Sequence, residues 1–207
     1  LDMVKMGVEK AVRLVPLEVT KQPMAQRALV IGGGIAGMAA ASNLACQGYE
    51  THLVEREAEL GGLLRDLDEI SPSGVKAHDV LKALRMDVLR SKVKVHLDTQ
   101  VEQIGGHIGN FQARLSDGEE LLAGAVVLAM GARTYVPQEL DYESNAQVIT
   151  NLELEGMWPE VPGQMVTIVG CVGSRGNGAG CSRYCCESMV GQALRLRRMG
   201  KKVRVLY

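Results

Sequence analysis

Four of the five cysteines in this 207-residue chain lie in one short segment, CVGSRGNGAGCSRYCC. They are Cys171, Cys181, Cys185 and Cys186, with the spacing C-x9-C-x3-C-C. Thiolates at this density can bind a zinc ion, hold an iron–sulfur cluster or act as a redox-active pair. Because no signal-peptide pattern accompanies them, we expect metal binding or catalysis rather than a secreted disulfide framework.

The spacing favours some of these chemistries over others. Structural zinc usually takes two C-x2-C pairs or their histidine variants, whereas this segment has other spacings and no histidine. A flavin-linked dithiol is typically C-x2-C or C-x4-C, which would leave the extra cysteines unexplained. An iron–sulfur cluster needs four thiolates and accepts many spacings. Backbone N–H groups of a glycine-rich segment can turn toward such an anionic cluster, beside positive charge from Arg175 and Arg183.

Other residues with ligand chemistry show no such pattern. Cys46 lies among alanines on a predicted helix, and we expect it to be a small core residue. The four histidines are scattered without ligand spacing and are His52, His78, His96 and His107.

A second chemical motif, GGGIAG, directly follows a short predicted strand. Gly32, Gly34 and Gly37 occupy the positions of a G-x-G-x-x-G fingerprint. The first glycine permits the tight turn, the second lets a pyrophosphate approach the backbone, and the third packs the helix against the strand. Glu55 ends the next predicted strand, where an acid can bind a ribose hydroxyl. The motif therefore predicts a dinucleotide site at a helix N-terminus.

The elements that position these motifs alternate between strands and helices. The predicted order is strand 27–31, helix 35–47, strand 49–55, helix 75–90, a β-meander from 93 and a buried strand 125–129, with turns at Gly105-Gly106, Gly109-Asn110 and Asp117-Gly118. A strand at 165–170, a helix at 187–199 and a buried strand at 202–207 repeat the opening pattern, with the cysteines in place of the glycine turn. We predict an α/β fold: a Rossmann-like, three-layer ββα domain with a β-meander, followed by the start of a second Rossmann-like βαβ unit.

The domain boundaries follow from this order. We expect an N-terminal helix and linker at 1–26, the dinucleotide-binding domain at 27–150, and a truncated second unit with the cysteine-rich loop at 151–207. The chain opens within a helix-like run and ends in a strand, so we expect it to be a fragment of a longer protein.

Composition excludes several functional classes. The net charge of −1 predicts no general attraction to nucleic acid or anionic membranes. No apolar stretch is long enough to span a membrane, and we expect a cytoplasmic location. The basic residues near the C-terminus are expected to form a solvated helix face; they are Arg195, Arg197, Arg198, Lys201, Lys202 and Arg204.

Residues 27–137 resemble the two-dinucleotide-binding flavoproteins of the glutathione reductase and thioredoxin reductase types. The resemblance is carried by the glycine turn, Glu55, the Gly61-Gly62 pair in EREAELGGLLR, the meander and the strand AVVLAMGARTYVP, although Met130 stands where Thr is usual. It implies FAD as the cofactor. Arg65, which follows the double glycine, is either solvated or near the isoalloxazine, where its charge would stabilise reduced flavin. The implied FAD contacts are Gly32, Gly34, Ile35, Ala36, Gly37, Glu55, Arg56, Gly62, Leu63, Arg65, Val101, Ala129 and Gly131.

Nearly the whole chain also resembles the A-type subunit of heterodisulfide reductase, including its bacterial relatives. The matching segments are IVGCVGSR, CSRYCCESMVGQAL and the flavin segment that begins ALVIGGGIAGMAAASNLACQGYE. The resemblance implies that Cys171, Cys181, Cys185 and Cys186 bind a 4Fe–4S cluster near the FAD. It also implies an anaerobic electron-transfer complex, whose partners would be other heterodisulfide reductase-like subunits and ferredoxin-type electron carriers.

Two other functions remain open from the residues alone. One is an NAD(P)H-dependent disulfide reductase of the thioredoxin reductase type, with the cysteines as redox thiols. The other is a zinc-stapled interaction module without catalysis. The segment GCVGSR lacks G-x-G-x-x-G, which argues against nicotinamide binding by the second unit.

Overall fold

The structure is a computed structural model that describes residues 1–15, 23–174 and 180–207. Its first half contains, in chain order, α1 (Asp2–Val12), β1 (Arg27–Ile31), α2 (Ile35–Cys46), β2 (Glu50–Val54), a 3-10 turn (Gly62–Asp66), β3 (Glu69–Ile70), β4 (Val75–Lys76), α3 (Ala77–Arg90) and β5 (Lys94–His96). The second half contains β6 (Val101–His107), β7 (Asn110–Leu115), β8 (Glu120–Ala123), β9 (Ala125–Leu128), α4 (Asn151–Glu155), β10 (Met165–Val169), α5 (Tyr184–Arg198) and β11 (Lys202–Leu206). Within these described ranges, every helix is too short or too polar to cross a membrane.

A four-stranded parallel sheet forms the centre of the first unit, in the order β5-β2-β1-β9. Alternate residues of a strand face opposite sides of a sheet, and here both sides are covered. Val30 and Leu53 pack toward α2 and α3, whereas Leu29 and Val54 pack against the meander β6-β7-β8. This helix–sheet–meander stack confirms the predicted three-layer ββα fold.

The second unit pairs β10 and β11 in parallel, with α5 connecting them. Leu196 of α5 is buried with Leu154 and Val161. The predicted strand–loop–helix–strand repeat is therefore confirmed, but α5 begins at Tyr184 rather than at 187. As a result, Cys185 and Cys186 lie in the first turn of a helix and not in a loop.

Several strand and turn predictions were wrong, because the pairing of distant strands decided the conformation of these segments. The segment VKVHL, expected to open the meander, supplies β5, which pairs with β2 in the parallel sheet. Gly105 and Gly106, expected to form a turn, lie inside β6 and pair with β7. Of the two strands expected to be buried, β11 is largely exposed and β9 is only partly buried, because each pairs on one side only among the described residues.

The predicted N-terminal helix forms as α1 and ends at Val12. All of its residues are exposed to solvent. Its apolar side chains therefore contribute nothing to the cores described above.

Candidate functional site

The glycine turn connects β1 to α2 and depends on the absence of side chains. The Gly32 N–H donates to the Val54 carbonyl at 2.8 Å, which joins the turn to β2. A Cβ on Gly32, whose φ is +107°, would overlap the carbonyl oxygen of Ala129. A Cβ on Gly37 would overlap the carbonyl oxygen of Gly32. Both glycines are thus required by close backbone contacts, as the fingerprint predicts.

Gly34 differs from the other two glycines because its surroundings are open. A Cβ placed on it would meet no described atom within 4 Å. It is the N-cap of α2 and has no side chain with which to satisfy the first-turn N–H groups. Ile35 and Ala36, which carry two of those groups, are exposed. Space, unpaired donors and the positive end of the helix dipole together fit a pyrophosphate.

The Glu55 carboxylate closes the other side of this turn. The side chain is buried, and its Oε2 accepts the Gly33 N–H at 2.5 Å while Oε1 accepts the Glu57 N–H at 2.9 Å. A carboxylate has about four acceptor sites, so these two bonds leave capacity for a ribose hydroxyl. The acid therefore lies beside the glycine turn, as expected, and also holds the turn in shape.

The double glycine folds back onto the glycine turn. The Gly61 N–H donates to the Gly33 carbonyl at 2.8 Å, and a Cβ on Gly62 would lie 3.3 Å from the Gly34 Cα. Leu63 and Arg65 follow on the 3-10 turn and are exposed. The fold thus brings Gly62 against Gly34 and leaves the next two cofactor candidates, Leu63 and Arg65, exposed.

The other expected FAD contacts lie at different distances from the turn. The Ala129 N–H donates to the Ile31 carbonyl at 2.8 Å, and Gly131 follows on an exposed segment. Val101 opens β6, two residues after Thr99, whose N–H donates to the Glu55 carbonyl at 3.1 Å. Arg56 is exposed, and its Nε lies 3.3 Å from Glu57 Oε1.

The four clustered cysteines flank one end of the second unit. Cys171 follows β10 in a left-handed conformation, with φ +62°. The Cys181 sulfur accepts the Arg183 N–H at 3.4 Å, and Cys185 and Cys186 lie in the first turn of α5. The predicted contributions of Arg175, Gly176 and Gly178 lie outside the described residues.

The four thiols are close enough to affect one another. Partial desolvation, followed by the charges of Cys185, Cys181 and Cys171, raises the pKa of Cys186. A single zinc ion, with sulfur ligands at about 2.3 Å, would hold them within about 4 Å of each other. Of the cysteines in the described ranges, no three have sulfurs within 4.8 Å of one another. The group is therefore more open than a zinc tetrahedron.

One wide cleft, with a volume of about 2360 Å³, is lined by residues of both units. Leu63, Arg65 and Gly131 line it from the first unit. The second unit contributes Cys171, Cys185 and Cys186. The cleft therefore joins the 3-10 turn and the segment after β9 to the cysteines.

Tyr135 connects the same two regions through a direct contact. It belongs to the segment that leaves β9, and a Cβ on Gly173 would overlap its ring. The ring therefore lies against the segment that follows Cys171.

Three interpretations of single residues were wrong. Cys46 is exposed rather than in the core, because the buried face of α2 ends at Ser42. Arg195 is largely buried, at 21 % side-chain exposure, and pairs with Asp68 at 2.5 Å. His52 and His96 are not scattered, since their nitrogens approach to 2.9 Å.

The histidine pair is the cluster that sequence reasoning missed. The two residues lie on neighbouring parallel strands, β2 and β5. Had VKVHL been recognised as a strand of the parallel sheet next to β2, the proximity of His96 to His52 could have been predicted.

Comparisons with known proteins agree with this geometry. The family model described as pyridine nucleotide-disulphide oxidoreductase matches residues 19–171. The L-proline dehydrogenase of P. horikoshii shares the fold, with a TM-score of 0.53 and 22 % identity over 92 % of this chain and 36 % of its own.

The curated relatives include heterodisulfide reductase subunits. An iron-sulfur A-type subunit of the CoB–CoM heterodisulfide reductase of Methanopyrus kandleri is 34 % identical over 68 % of this chain and 22 % of its own length. The A-type subunit of the H(2):CoB-CoM heterodisulfide,ferredoxin reductase of Methanothermobacter marburgensis is 35 % identical over 59 % of this chain and 20 % of its own. The chain thus spans about a fifth of the length of these relatives.

These matches confirm the expected similarity to the A-type subunit of heterodisulfide reductase. The family match covers most of the chain and includes the glycine turn, Glu55 and the double glycine. The chain therefore belongs to the pyridine nucleotide-disulphide oxidoreductase family.

Proposed function

We propose that this chain is the FAD- and iron–sulfur-binding part of an electron-transfer subunit in a heterodisulfide reductase-like complex. Residues 27–150 form its FAD-binding domain, preceded by a helix and linker at 1–26, and residues 151–207 form the unit that holds a 4Fe–4S cluster. The observation that carries the proposal is the cleft shared by Arg65, Gly131 and the cysteines. Bound FAD exchanges electrons in pairs, and a bound 4Fe–4S cluster exchanges them singly.

The first unit binds the dinucleotide through backbone and one acid. The N–H groups at the start of α2 hold the pyrophosphate, and Gly34 leaves the room for its approach. Glu55 accepts a ribose hydroxyl, while Ala129 and Gly62 border the same turn. Leu63, Arg65 and Gly131 line the cleft, and Arg65 supplies positive charge there.

The second unit supplies four thiolates at one end of a helix. Cys185 and Cys186 lie where the α5 dipole and unpaired N–H groups favour negative charge. Mutual repulsion of the thiolates opposes this and contributes to the raised pKa of Cys186. Positively charged iron offsets that repulsion, so cluster binding also stabilises the segment around Cys171 and Cys181.

The partners are proposed from the relatives. Proteins about 35 % identical to this chain are named as subunits of heterodisulfide reductases, one of which is named as a ferredoxin reductase. We infer that this chain works with other subunits of that kind and with ferredoxin-type electron carriers.

Anaerobic reconstitution with iron and sulfide tests the ligand set. Wild type should hold about four irons per chain and show a broad brown absorption, as a 4Fe–4S cluster requires. Ser substitutions at Cys171, Cys181, Cys185 or Cys186 should each lower the iron content. Cys46→Ser is the matched control, because Cys46 is exposed and far along the chain from the cluster, and should keep all the iron.

Other outcomes favour the competing functions. Full iron and an unchanged spectrum in both Cys185→Ser and Cys186→Ser would exclude the vicinal pair as ligands. A colourless chain that retains zinc would indicate an interaction module. Rapid bleaching of bound flavin by NADH or NADPH would support a nicotinamide-dependent disulfide reductase, which the absence of a glycine fingerprint after β10 argues against.

A further inference from the structure

Two histidines that are distant in sequence meet on one face of the parallel sheet. His52 lies in β2 and His96 in β5, and the register places them diagonally, since Val54 pairs with His96. Their rings stack with centroids 5.1 Å apart and planes 14° from parallel. His52 Nδ1 lies 2.9 Å from His96 Nε2. The strand pairing therefore brings together two imidazole rings from segments that are far apart in the chain.

Glu119 completes the group from another layer of the fold. It lies in the turn between β7 and β8, which is held by the bond from the Leu115 N–H to the Glu119 carbonyl at 2.8 Å. Its Oε2 is 3.5 Å from His96 Nδ1. One ligand atom from each of His52, His96 and Glu119 lies within 4.8 Å of the others. We refer to these three residues as the His–His–Glu cluster.

The surroundings of His52 fix which nitrogen has the free lone pair. His52 Nε2 lies 3.4 Å from Glu50 Oε1. Glu50 accepts hydrogen bonds from Lys94 and Arg27. A carboxylate in this position accepts the His52 Nε2 proton, which leaves the Nδ1 lone pair facing His96.

This arrangement is typical of a metal-binding histidine. Ligating histidines usually donate their other ring N–H to a carboxylate, which orients the ring. Glu50 occupies that position behind His52. Lys94 and Arg27 are both paired with Glu50, so their charges are offset next to the cluster.

We propose that the His–His–Glu cluster binds one divalent transition-metal ion of the zinc class. Two imidazoles and a carboxylate suit such ions, with water in the fourth position. Tetrahedral zinc with nitrogens at about 2.0–2.1 Å places them about 3.3 Å apart, so His52 and His96 need to separate by only a few tenths of an ångström. The His96 ring must also turn, because His52 lies nearest its Nε2 whereas Glu119 lies nearest its Nδ1. Glu119 is 46 % exposed, which gives the ion and the water a route in.

The ion would act as a clamp between two layers. His52 and His96 belong to the parallel sheet, whereas Glu119 belongs to the meander. Binding would therefore fix the edge strand β5 and the β7–β8 turn to the sheet. This site is independent of the flavin and of the clustered cysteines.

Metal titration of the full chain with all five cysteines replaced by Ser tests the site without thiol ligands. We expect one Co²⁺ or Zn²⁺ per chain by equilibrium dialysis. Bound Co²⁺ should show the visible bands of tetrahedral nitrogen and oxygen coordination without a thiolate charge-transfer band. At a hundredfold excess of zinc over Kd, Tm should rise by about 5–10 °C.

Variants of two of the ligands separate binding from folding. His96→Asn and Glu119→Gln should each weaken metal binding at least about tenfold. Glu119 is exposed whereas His96 is largely buried, so Glu119→Gln is the variant in which folding should persist unchanged. His78→Asn and His107→Asn are matched controls at exposed histidines and should leave affinity unchanged. No metal bound by the all-serine chain, or equal affinity in His96→Asn and the controls, would overturn the proposal.

Discussion

Glu55 shows how one side chain can serve both the fold and a ligand. Its carboxylate is buried and accepts two backbone N–H groups, from Gly33 and Glu57. The bond to Gly33 fixes the middle of the glycine turn, because a buried N–H without an acceptor is costly. The same acid is in our proposal the ribose acceptor, so its loss should have two separable effects.

We expect Glu55→Ala to weaken FAD binding about 5–150-fold, which corresponds to roughly 1–3 kcal/mol for bonds to a charged acceptor. It should also lower the free energy of unfolding of the flavin-free chain, since the Gly33 N–H loses its partner. Fluorescence titration with FAD measures the first effect, and thermal unfolding without flavin measures the second.

The neighbouring acid provides the control for this experiment. Glu57→Ala removes an exposed carboxylate that pairs only with Arg56 among the described residues, so it should change stability by less than about 0.5 kcal/mol. If Glu55→Ala destabilises the chain but leaves FAD affinity intact, the acid is structural and the ribose assignment is wrong.

Two glycines at the start of helix α2, Gly34 and Gly37, have different structural roles. Gly37 is in contact with the Gly32 carbonyl, so it is needed for helix–strand packing. Gly34 has an ordinary extended backbone, with φ −75°, and open space around its Cα. Gly37 therefore serves helix packing, whereas Gly34 leaves room for a ligand at the start of the same helix.

Paired alanine substitutions test that assignment. Gly37→Ala should destabilise the chain by about 1–3 kcal/mol or more, because its Cβ overlaps backbone. Gly34→Ala should fold with nearly wild-type Tm, yet lose FAD affinity, because its Cβ would occupy the approach of the pyrophosphate. Thermal unfolding and FAD titration of both variants provide the measurements. Normal FAD affinity in a well-folded Gly34→Ala chain would place the pyrophosphate elsewhere.

The two units of the molecule are joined by a network around Arg195. Its guanidinium pairs with Asp68 at 2.5 Å and lies 4.1 Å from the centre of the Trp158 ring. Glu155 adds a second connection by accepting the Asp68 N–H at 3.3 Å and the Gln192 side-chain amide at 2.7 Å. Although burial opposes it, hydrogen bonds from Lys76 and Arg195 lower the pKa of Asp68. These contacts help to set the cleft between the flavin end and the cysteines.

Arg195→Ala should lower the free energy of unfolding by about 1–3 kcal/mol, because it removes a partly buried ion pair and a cation–π contact together. Urea unfolding measures this directly. Arg197→Ala and Arg198→Ala are matched controls on the same helix, at exposed positions, and should have effects below about 0.5 kcal/mol. Equal effects from all three substitutions would mean that the network does not join the units.

Much of the fold was predictable from the sequence, because many of its strands, helices and turns are determined by residues that are close together in the chain. The strands at 27–31 and 165–170, the helix that starts at Ile35 and the roles of Gly32 and Gly37 follow from short-range periodicity and turn chemistry. Glu55 was expected from the strand pattern to bind a ribose, and the double glycine was expected from the family resemblance to approach the cofactor. The structure places both beside the glycine turn, and their contacts with a cofactor stay predictions. Most of these contacts join residues that are near in sequence, although the Gly32 turn also depends on the Ala129 carbonyl that follows β9.

By itself, the sequence determined the glycine-turn unit and the second unit that carries the cysteines. Only the tertiary structure decided that β5 joins the parallel sheet, that Cys46 is exposed and that Arg195 is paired across units. The same holds for the meeting of His52 with His96. These features depend on which strands pair and which faces meet, and such contacts between distant segments leave no trace in the local pattern of either segment.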